Sequence, residues 1–124
     1  TGAVSPLHAA ESVCLIVAEA PSGSILHERG DCTTRVTPAS TFKIPLALMA
    51  FEHGAVKSPA APVLTPKPGD PAWGGAAWKR PTDPAGWMKH SVVWYSQRLT
   101  ASLGLPLLQR STRAFGYGNA DWSG

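Results

Sequence analysis

Long hydrophobic runs, clustered charge and paired histidines are all scarce in this sequence. None of its apolar stretches approaches the roughly 20 residues that cross a bilayer, so we predict no membrane-spanning helix, and we recognise no signal peptide. Its eleven Lys and Arg residues are scattered singly, without the basic runs typical of nucleic-acid-binding proteins. Its four histidines lack the spacing of metal ligands. We therefore expect neither nucleic acid, nor a membrane span, nor a metal ion to be part of its function.

What the 124 residues do contain favours one small globular domain. Hydrophobic residues make up 44% of the chain and charged residues 15%, with a formal net charge of +3. That balance supports a packed core rather than disorder. The length suits one domain better than two. Twelve glycines and twelve prolines predict many irregular connections between the regular elements.

A β-hairpin is predicted over residues 13–29. An apolar segment is followed by a turn at Pro21-Ser22-Gly23 and then by a shorter, half-polar segment. The first strand is apolar throughout, which predicts burial on both of its faces. Cys14 and Cys32 lie nearly symmetrically about the turn, so the hairpin brings them opposite each other. We favour a disulfide, and with it an oxidising compartment, over the alternative of two buried free thiols.

A helix is predicted over residues 40–53, ended by Gly54. Ser40 and Lys43 interrupt an otherwise apolar stretch at a spacing that puts both on one helix face. Apolar surroundings lower the pKa of a lysine, and a neutral amine beside a serine hydroxyl can activate it as a nucleophile. Pro45 fits only in a first turn, so Ser40 lies where free N–H groups stabilise a developing anion. In the alternative interpretation, Ser40 only caps the helix and Lys43 extends to water.

The rest of the chain is predicted to be a long ordered loop followed by a helical region over residues 84–114. Residues 56–83 contain six prolines and two adjacent glycines and show no regular period. Asp83 is a predicted N-cap with a proline after it, and Gly104 is a predicted stop. Three helices are predicted in this region, at 84–88, 92–103 and 106–114.

Two further motifs follow the Ser40–Lys43 pair. Ser91-Val92-Val93 lies between two predicted helices, and Phe115-Gly116-Tyr117-Gly118-Asn119 follows the last one. Each is weak by itself, because a serine between helices is usually a cap and Tyr-Gly-Asn is usually a turn. Together with Ser40-Thr41-Phe42-Lys43, in this order and spacing, they resemble the class D, or oxacillinase-type, β-lactamases. The resemblance covers residues 13–124.

The resemblance implies a fold. It would be α+β, of the β-lactamase/transpeptidase type, with an antiparallel sheet and a helical subdomain. Residues 1–124 would be the N-terminal portion of that single domain, namely its hairpin and helical part. Family members carry an ω-loop tryptophan and a Lys-Thr-Gly strand later in the chain, and both are absent here. The C-terminal strands are therefore expected from another segment or another chain.

The resemblance also implies an activity, the hydrolysis of β-lactam antibiotics, with these small molecules as partners and no separate cofactor. Ser40 would attack the lactam carbonyl and form an acyl-enzyme. Lys43 would act as general base after reacting with carbon dioxide to give a carbamate. Ser91 would pass a proton to the leaving ring nitrogen. Val93, in place of the asparagine of class A enzymes, would wall in the lysine.

The remaining implied sites concern substrate binding and location. Tyr117 and Asn119 would shape the pocket rather than take part in the chemistry. Trp78 is a candidate for the pocket rim, with an ordinary core indole as the alternative. The protein is expected to be periplasmic or secreted, its signal peptide removed.

Three other functional interpretations stay open. The first is a receptor domain that β-lactams acylate without turnover. The second is a penicillin-binding transpeptidase, which Val93 and the short spacing from Ser40 to Ser91 disfavour. The third is an inactive truncated fragment.

Overall fold

The computed structural model describes residues 13–122. It divides into two compact units, the first ending at Thr37 and the second beginning at Pro38. Within residues 13–122, no helix is both long enough and apolar enough to cross a membrane. The architecture is the hairpin and the helical part of the predicted α+β fold.

The first unit is built on an antiparallel hairpin of β1 (Cys14–Ala18) and β2 (Ile25–Gly30). The chain reverses through a turn in which Gly23 adopts a φ of 69°, a conformation that glycine takes without strain. The predicted disulfide is present between Cys14 and Cys32, with an S–S distance of 2.09 Å and a Cα–Cα distance of 4.9 Å.

The register corrects one detail of the disulfide. Cys14 pairs with Gly30 across the ladder, so Cys32 lies two residues past its expected position opposite Cys14. A register shift between Val17 and Ala18 displaces the strands from the symmetry that we assumed. Cys32 follows the end of β2, and the disulfide joins it there to the first residue of β1.

The expected burial of β1 on both faces is not found. All five of its residues are exposed, and so are all six of β2. In the part of the chain that the structure describes, the sheet has only these two strands. A two-stranded sheet cannot cover its own faces, so an apolar strand alone does not produce burial.

The predicted helix at 40–53 begins differently from the prediction. Residues Ala39–Phe42 form a 3₁₀ turn, and the α-helix proper, α1, runs over Lys43–Glu52. Pro45 is buried in the first turn of α1. His53 is the C-cap of α1, and Gly54 follows with a φ of 74°, the left-handed conformation typical of the residue after a helix.

Three more helices complete the second unit. They are α2 (Pro84–His90), α3 (Val93–Leu103) and α4 (Leu105–Ala114), and a 3₁₀ turn, Ala76–Lys79, lies in the long loop before them. The Asp83 side chain caps α2 by accepting a hydrogen bond of 2.7 Å from the Gly86 N–H. Gly104, with a φ of 79°, ends α3 and begins α4.

The core of the second unit is rich in large aromatic side chains. Its six largest fully buried side chains are Trp87, Trp94, Tyr95, Leu46, Met49 and Val92. Each buried polar edge has a partner: the Trp87 indole donates to Ser96 Oγ at 2.8 Å, and the Tyr95 hydroxyl donates to the Pro62 carbonyl at 2.8 Å. The first bond joins α2 to α3, and the second ties the long loop to α3.

Candidate active site

The first and second sequence motifs meet through a single hydrogen bond. Lys43 Nζ, at the start of α1, donates to Ser91 Oγ, at the end of α2. The Lys43 side chain is half-buried, and this burial lowers the pKa of its amine from the usual value. A larger share of the amine is therefore neutral at a given pH than it would be in water, as a base requires.

The backbone around Ser91 holds its hydroxyl in place. Ser91 is in the left-handed conformation, with a φ of 53°, and its N–H donates to the Trp87 carbonyl. The residue before it, His90, accepts a hydrogen bond of 2.8 Å from the indole N–H of Trp78. The Trp78 carbonyl in turn accepts one of 2.8 Å from the Trp94 indole. The Trp78 indole thus anchors the turn that carries Ser91, whereas the Trp94 indole bonds the backbone of Trp78.

Ser40 lies one short turn before the lysine. Its carbonyl accepts from the Lys43 N–H, which joins the 3₁₀ turn to α1. Its hydroxyl is on an exposed residue and, among residues 13–122, hydrogen-bonds neither Lys43 nor Ser91. Ala39, just before it, has a φ of 48°, which is strained for a residue with a Cβ. Such strain is common at functional sites.

The third motif is joined to the first through Phe42. The Phe42 ring packs edge-to-face against Tyr117 at 5.6 Å and against Trp122 at 5.3 Å between centroids. The Trp122 indole also donates to Thr112 Oγ1 at 3.3 Å. Asn119 is exposed, and its Oδ1 accepts from the Asp121 N–H at 3.2 Å. The structure therefore brings Tyr117 beside the 3₁₀ turn that contains Ser40, whereas the Asn119 side chain bonds within its own turn.

Sequence analysis did not identify Phe42 and Trp122 as organising residues. The sequence did offer one sign of the role of Phe42. An aromatic residue between Ser40 and Lys43 needs a packing partner close to both of them. Val93, the predicted wall of the lysine, is half-buried and packs on the core as the first residue of α3.

Trp78 lies in the core with 3% of its surface exposed, as in the alternative interpretation of this residue. The exposed indole belongs instead to Trp73, at 77%, whose ring centroid lies 4.3 Å from that of Trp78. Gly74 permits this contact, because a Cβ at that position would lie 1.9 Å from the Trp78 ring. In the sequence, the glycines that follow Trp73 are the feature that indicates a close contact of the backbone with a ring.

No group of three or more His, Cys, Asp and Glu side chains that could hold a metal ion occurs among the residues described. The groups that the structure places at the site are two serine hydroxyls and an amine of lowered pKa. These groups suit acyl transfer through a serine ester.

Comparison with known proteins gives a consistent set of relatives. Residues 13–124 match the family described as the penicillin-binding protein transpeptidase domain. β-Lactamase OXA-9 of Klebsiella pneumoniae is 43% identical over 112 residues, which are 90% of this chain and 40% of that protein. Regulatory protein BlaR1 of Bacillus licheniformis is 30% identical over 103 residues, covering 79% of this chain and 16% of that protein.

A solved structure of a class D β-lactamase is also similar to this chain. The crystal structure of the class D β-lactamase OXA-427 superposes with a TM-score of 0.83 at 46% identity, over 90% of this chain and 45% of that one. The chain thus spans less than half the length of OXA-9 and of OXA-427.

Proposed function

The chain belongs to the penicillin-binding protein transpeptidase domain family, and from that premise we propose that it carries the nucleophile region of a class D serine β-lactamase. The hydrogen bond from Lys43 Nζ to Ser91 Oγ carries the proposal. It joins two motifs 48 residues apart, and the exposed Ser40 lies three residues before Lys43 in the chain. The β-lactamases OXA-9 and OXA-427 support the same assignment by similarity.

The proposed reaction has two steps. Ser40 Oγ attacks the carbonyl carbon of the β-lactam, the C–N bond of the ring breaks, and an ester to Ser40 forms. The proton of Ser40 passes to the base at Lys43, and Ser91 relays a proton to the ring nitrogen as it leaves. Water then attacks the ester, which releases the opened product and restores the Ser40 hydroxyl.

Lys43 has the surroundings that this role demands. Burial lowers the pKa of its amine, and its contact with Ser91 points Nζ toward the proton relay. The same surroundings fit the carbamate that the resemblance implies, because only a neutral amine reacts with carbon dioxide. When present, a carbamate supplies a carboxylate-like base at this position. Val93 is proposed to keep that side of the lysine apolar.

The activity is tested by nitrocefin hydrolysis with the protein, together with intact-mass detection of the acyl adduct. Ser40→Ala is expected to abolish both hydrolysis and the adduct. Lys43→Ala is expected to lower the hydrolysis rate by about 10²–10⁴, the usual contribution of a general base. Lys57→Ala, at an exposed lysine outside the site, is the matched control and is expected to leave the rate unchanged. An acyl adduct on Ser40→Ala would refute the assignment of the nucleophile.

The carbamate is tested separately with bicarbonate. Wild-type activity is expected to fall in degassed buffer of low pH and to recover on addition of bicarbonate. Activity indifferent to bicarbonate, with an unmodified Lys43 at neutral pH, would refute the carbamate while leaving the serine mechanism intact.

A second candidate function is a β-lactam-binding sensor that is acylated without turnover. It is favoured by the 30% identity to regulatory protein BlaR1. The lifetime of the acyl-enzyme distinguishes the two functions. An adduct that is lost within the time of a nitrocefin assay supports the hydrolase, whereas a stoichiometric adduct that persists supports the sensor.

We further propose that the protein works outside the cytoplasm, in the periplasm or after secretion. The disulfide between Cys14 and Cys32 supports this location, because such bonds persist in oxidising compartments. Cell fractionation is expected to recover the protein in the periplasm or the medium. Recovery in the cytoplasm with both thiols reduced would contradict the proposal.

A further inference from the structure

A cleft of about 370 Å³ opens beside α2 and is lined at one point by His90, the residue before Ser91. Neither Ser40, nor Lys43, nor Ser91 lines it. Its volume lies within the range of small-molecule binding sites, about 300–1,000 Å³. The cleft is therefore large enough to hold a ligand distinct from the β-lactam at Ser40.

Two basic side chains in this cleft have no partner. Arg80 and His90 both line it and are exposed, and neither side chain makes a hydrogen bond or an ion pair within residues 13–122. Arg98, in contrast, is paired with Asp70. An unpaired guanidinium offers five N–H donors in a planar fork that matches a carboxylate.

Asp83 is the acidic side chain in the lining of the cleft, and one of its oxygens already accepts a hydrogen bond. Asp83 Oδ1 accepts the hydrogen bond from Gly86 N–H that caps α2. The basic residues Lys79 and Lys89 directly adjoin Arg80 and His90 in sequence, and both are exposed. The local excess of positive charge therefore favours an anionic ligand.

Part of the lining of the cleft is apolar. Val63, Ala77 and Pro81 line it, and Val63 is 60% exposed. A bare inorganic anion would leave these side chains facing water, whereas an apolar body on the ligand would cover them. The basic and the apolar lining residues together indicate a ligand with one charged end and one hydrophobic end.

We propose that the cleft is a binding site for a small apolar carboxylate. Its carboxylate binds the guanidinium of Arg80, with His90 at the same end. Its apolar body lies on Val63, Ala77 and Pro81. Nothing in this assignment depends on the reaction at Ser40, so it stands or falls separately from the proposed function.

The test is a titration of the isotope-labelled protein with benzoate, followed by amide NMR shifts. Saturable shifts are expected at Ala77 and Gly86. Arg80→Gln is expected to weaken binding about tenfold, the effect of losing one charge-assisted hydrogen bond. Arg110→Gln, at an exposed arginine of α4 outside the cleft, is the matched control and is expected to bind benzoate as the wild type does.

Two further ligands separate the contributions of charge and apolar surface. Benzamide, the neutral isostere, and acetate, which lacks the ring, are both expected to bind more weakly than benzoate. The proposal is overturned by an absence of saturable shifts, by equal affinity for benzamide, or by an unchanged affinity in Arg80→Gln.

Discussion

Replacing Trp78 by phenylalanine tests how the core holds the turn that presents Ser91. The Trp78 indole is 3% exposed and donates a hydrogen bond of 2.8 Å to the carbonyl of His90, the residue before Ser91. Phenylalanine keeps an aromatic ring in the core but removes this donor. We expect both the stability of the helical unit and the reactivity of the site to fall.

The magnitude follows from two terms. Loss of one hydrogen bond costs about 0.5–1.5 kcal/mol, and the exposed position of His90 allows water to satisfy part of the freed carbonyl. The smaller ring leaves a cavity whose cost, at about 24 cal/mol per Å³, is about 1 kcal/mol for some 40 Å³. We therefore expect the free energy of unfolding to fall by about 2 kcal/mol, measured by urea denaturation with far-UV circular dichroism.

Trp94→Phe is the matched control. Its indole is fully buried and donates a bond of the same length, 2.8 Å, to the carbonyl of Trp78 rather than to that of His90. We expect a loss of stability at least as large, since a buried carbonyl left without a partner costs about 1–3 kcal/mol. When the two variants are compared at equal folded fraction, however, only Trp78→Phe should slow the proposed acylation of Ser40. An unchanged unfolding free energy in Trp78→Phe, or an equal slowing in both variants, would refute this account.

Three other outcomes follow from the structure. Burial, with the charge of Asp83, raises the pKa of Tyr95 to about 12 from 10.0, so the unfolded chain ionises first. The free energy of unfolding should therefore fall between pH 10 and about 12, and less so in Tyr95→Phe; equal pH profiles would contradict this. Gly74→Ala should lower the free energy of unfolding by about 1–3 kcal/mol, because the added Cβ would collide with the Trp78 ring. An unchanged denaturation midpoint would count against this contact. Native protein should show no free thiols until a reductant opens the bond between Cys14 and Cys32. Alkylation of either cysteine without reductant would disprove the disulfide.

Much of the local structure follows from the sequence because it depends on near neighbours along the chain. Asp83 before a proline starts α2, since the side chain reaches an N–H three residues on and the proline needs no N–H partner. Gly54 and Gly104 mark helix ends, because each adopts a positive φ that other residues resist. The spacing of Ser40 and Lys43 likewise places them in successive turns at one end of α1.

The sequence was less informative about burial. An apolar β1 predicted a covered strand, yet exposure is decided by what packs on a strand, and the two-stranded hairpin provides no second layer. Trp73 and Trp78 are the same residue type, but Trp73 is 77% exposed and Trp78 is 3% exposed. Composition cannot separate them, because burial depends on which ring the fold places inward.

The site itself required the tertiary structure. The motifs at Ser40–Lys43 and at Ser91 were visible in the sequence, but their hydrogen bond spans 48 residues and depends on the packing of α1, α2 and α3. The lowered pKa of Lys43 arises from that packing as well, because desolvation depends on three-dimensional surroundings. The sequence therefore determined which chemical groups are available and how neighbouring residues bend the chain. The tertiary structure determined which of those groups meet, because contacts between distant segments depend on how the whole core packs.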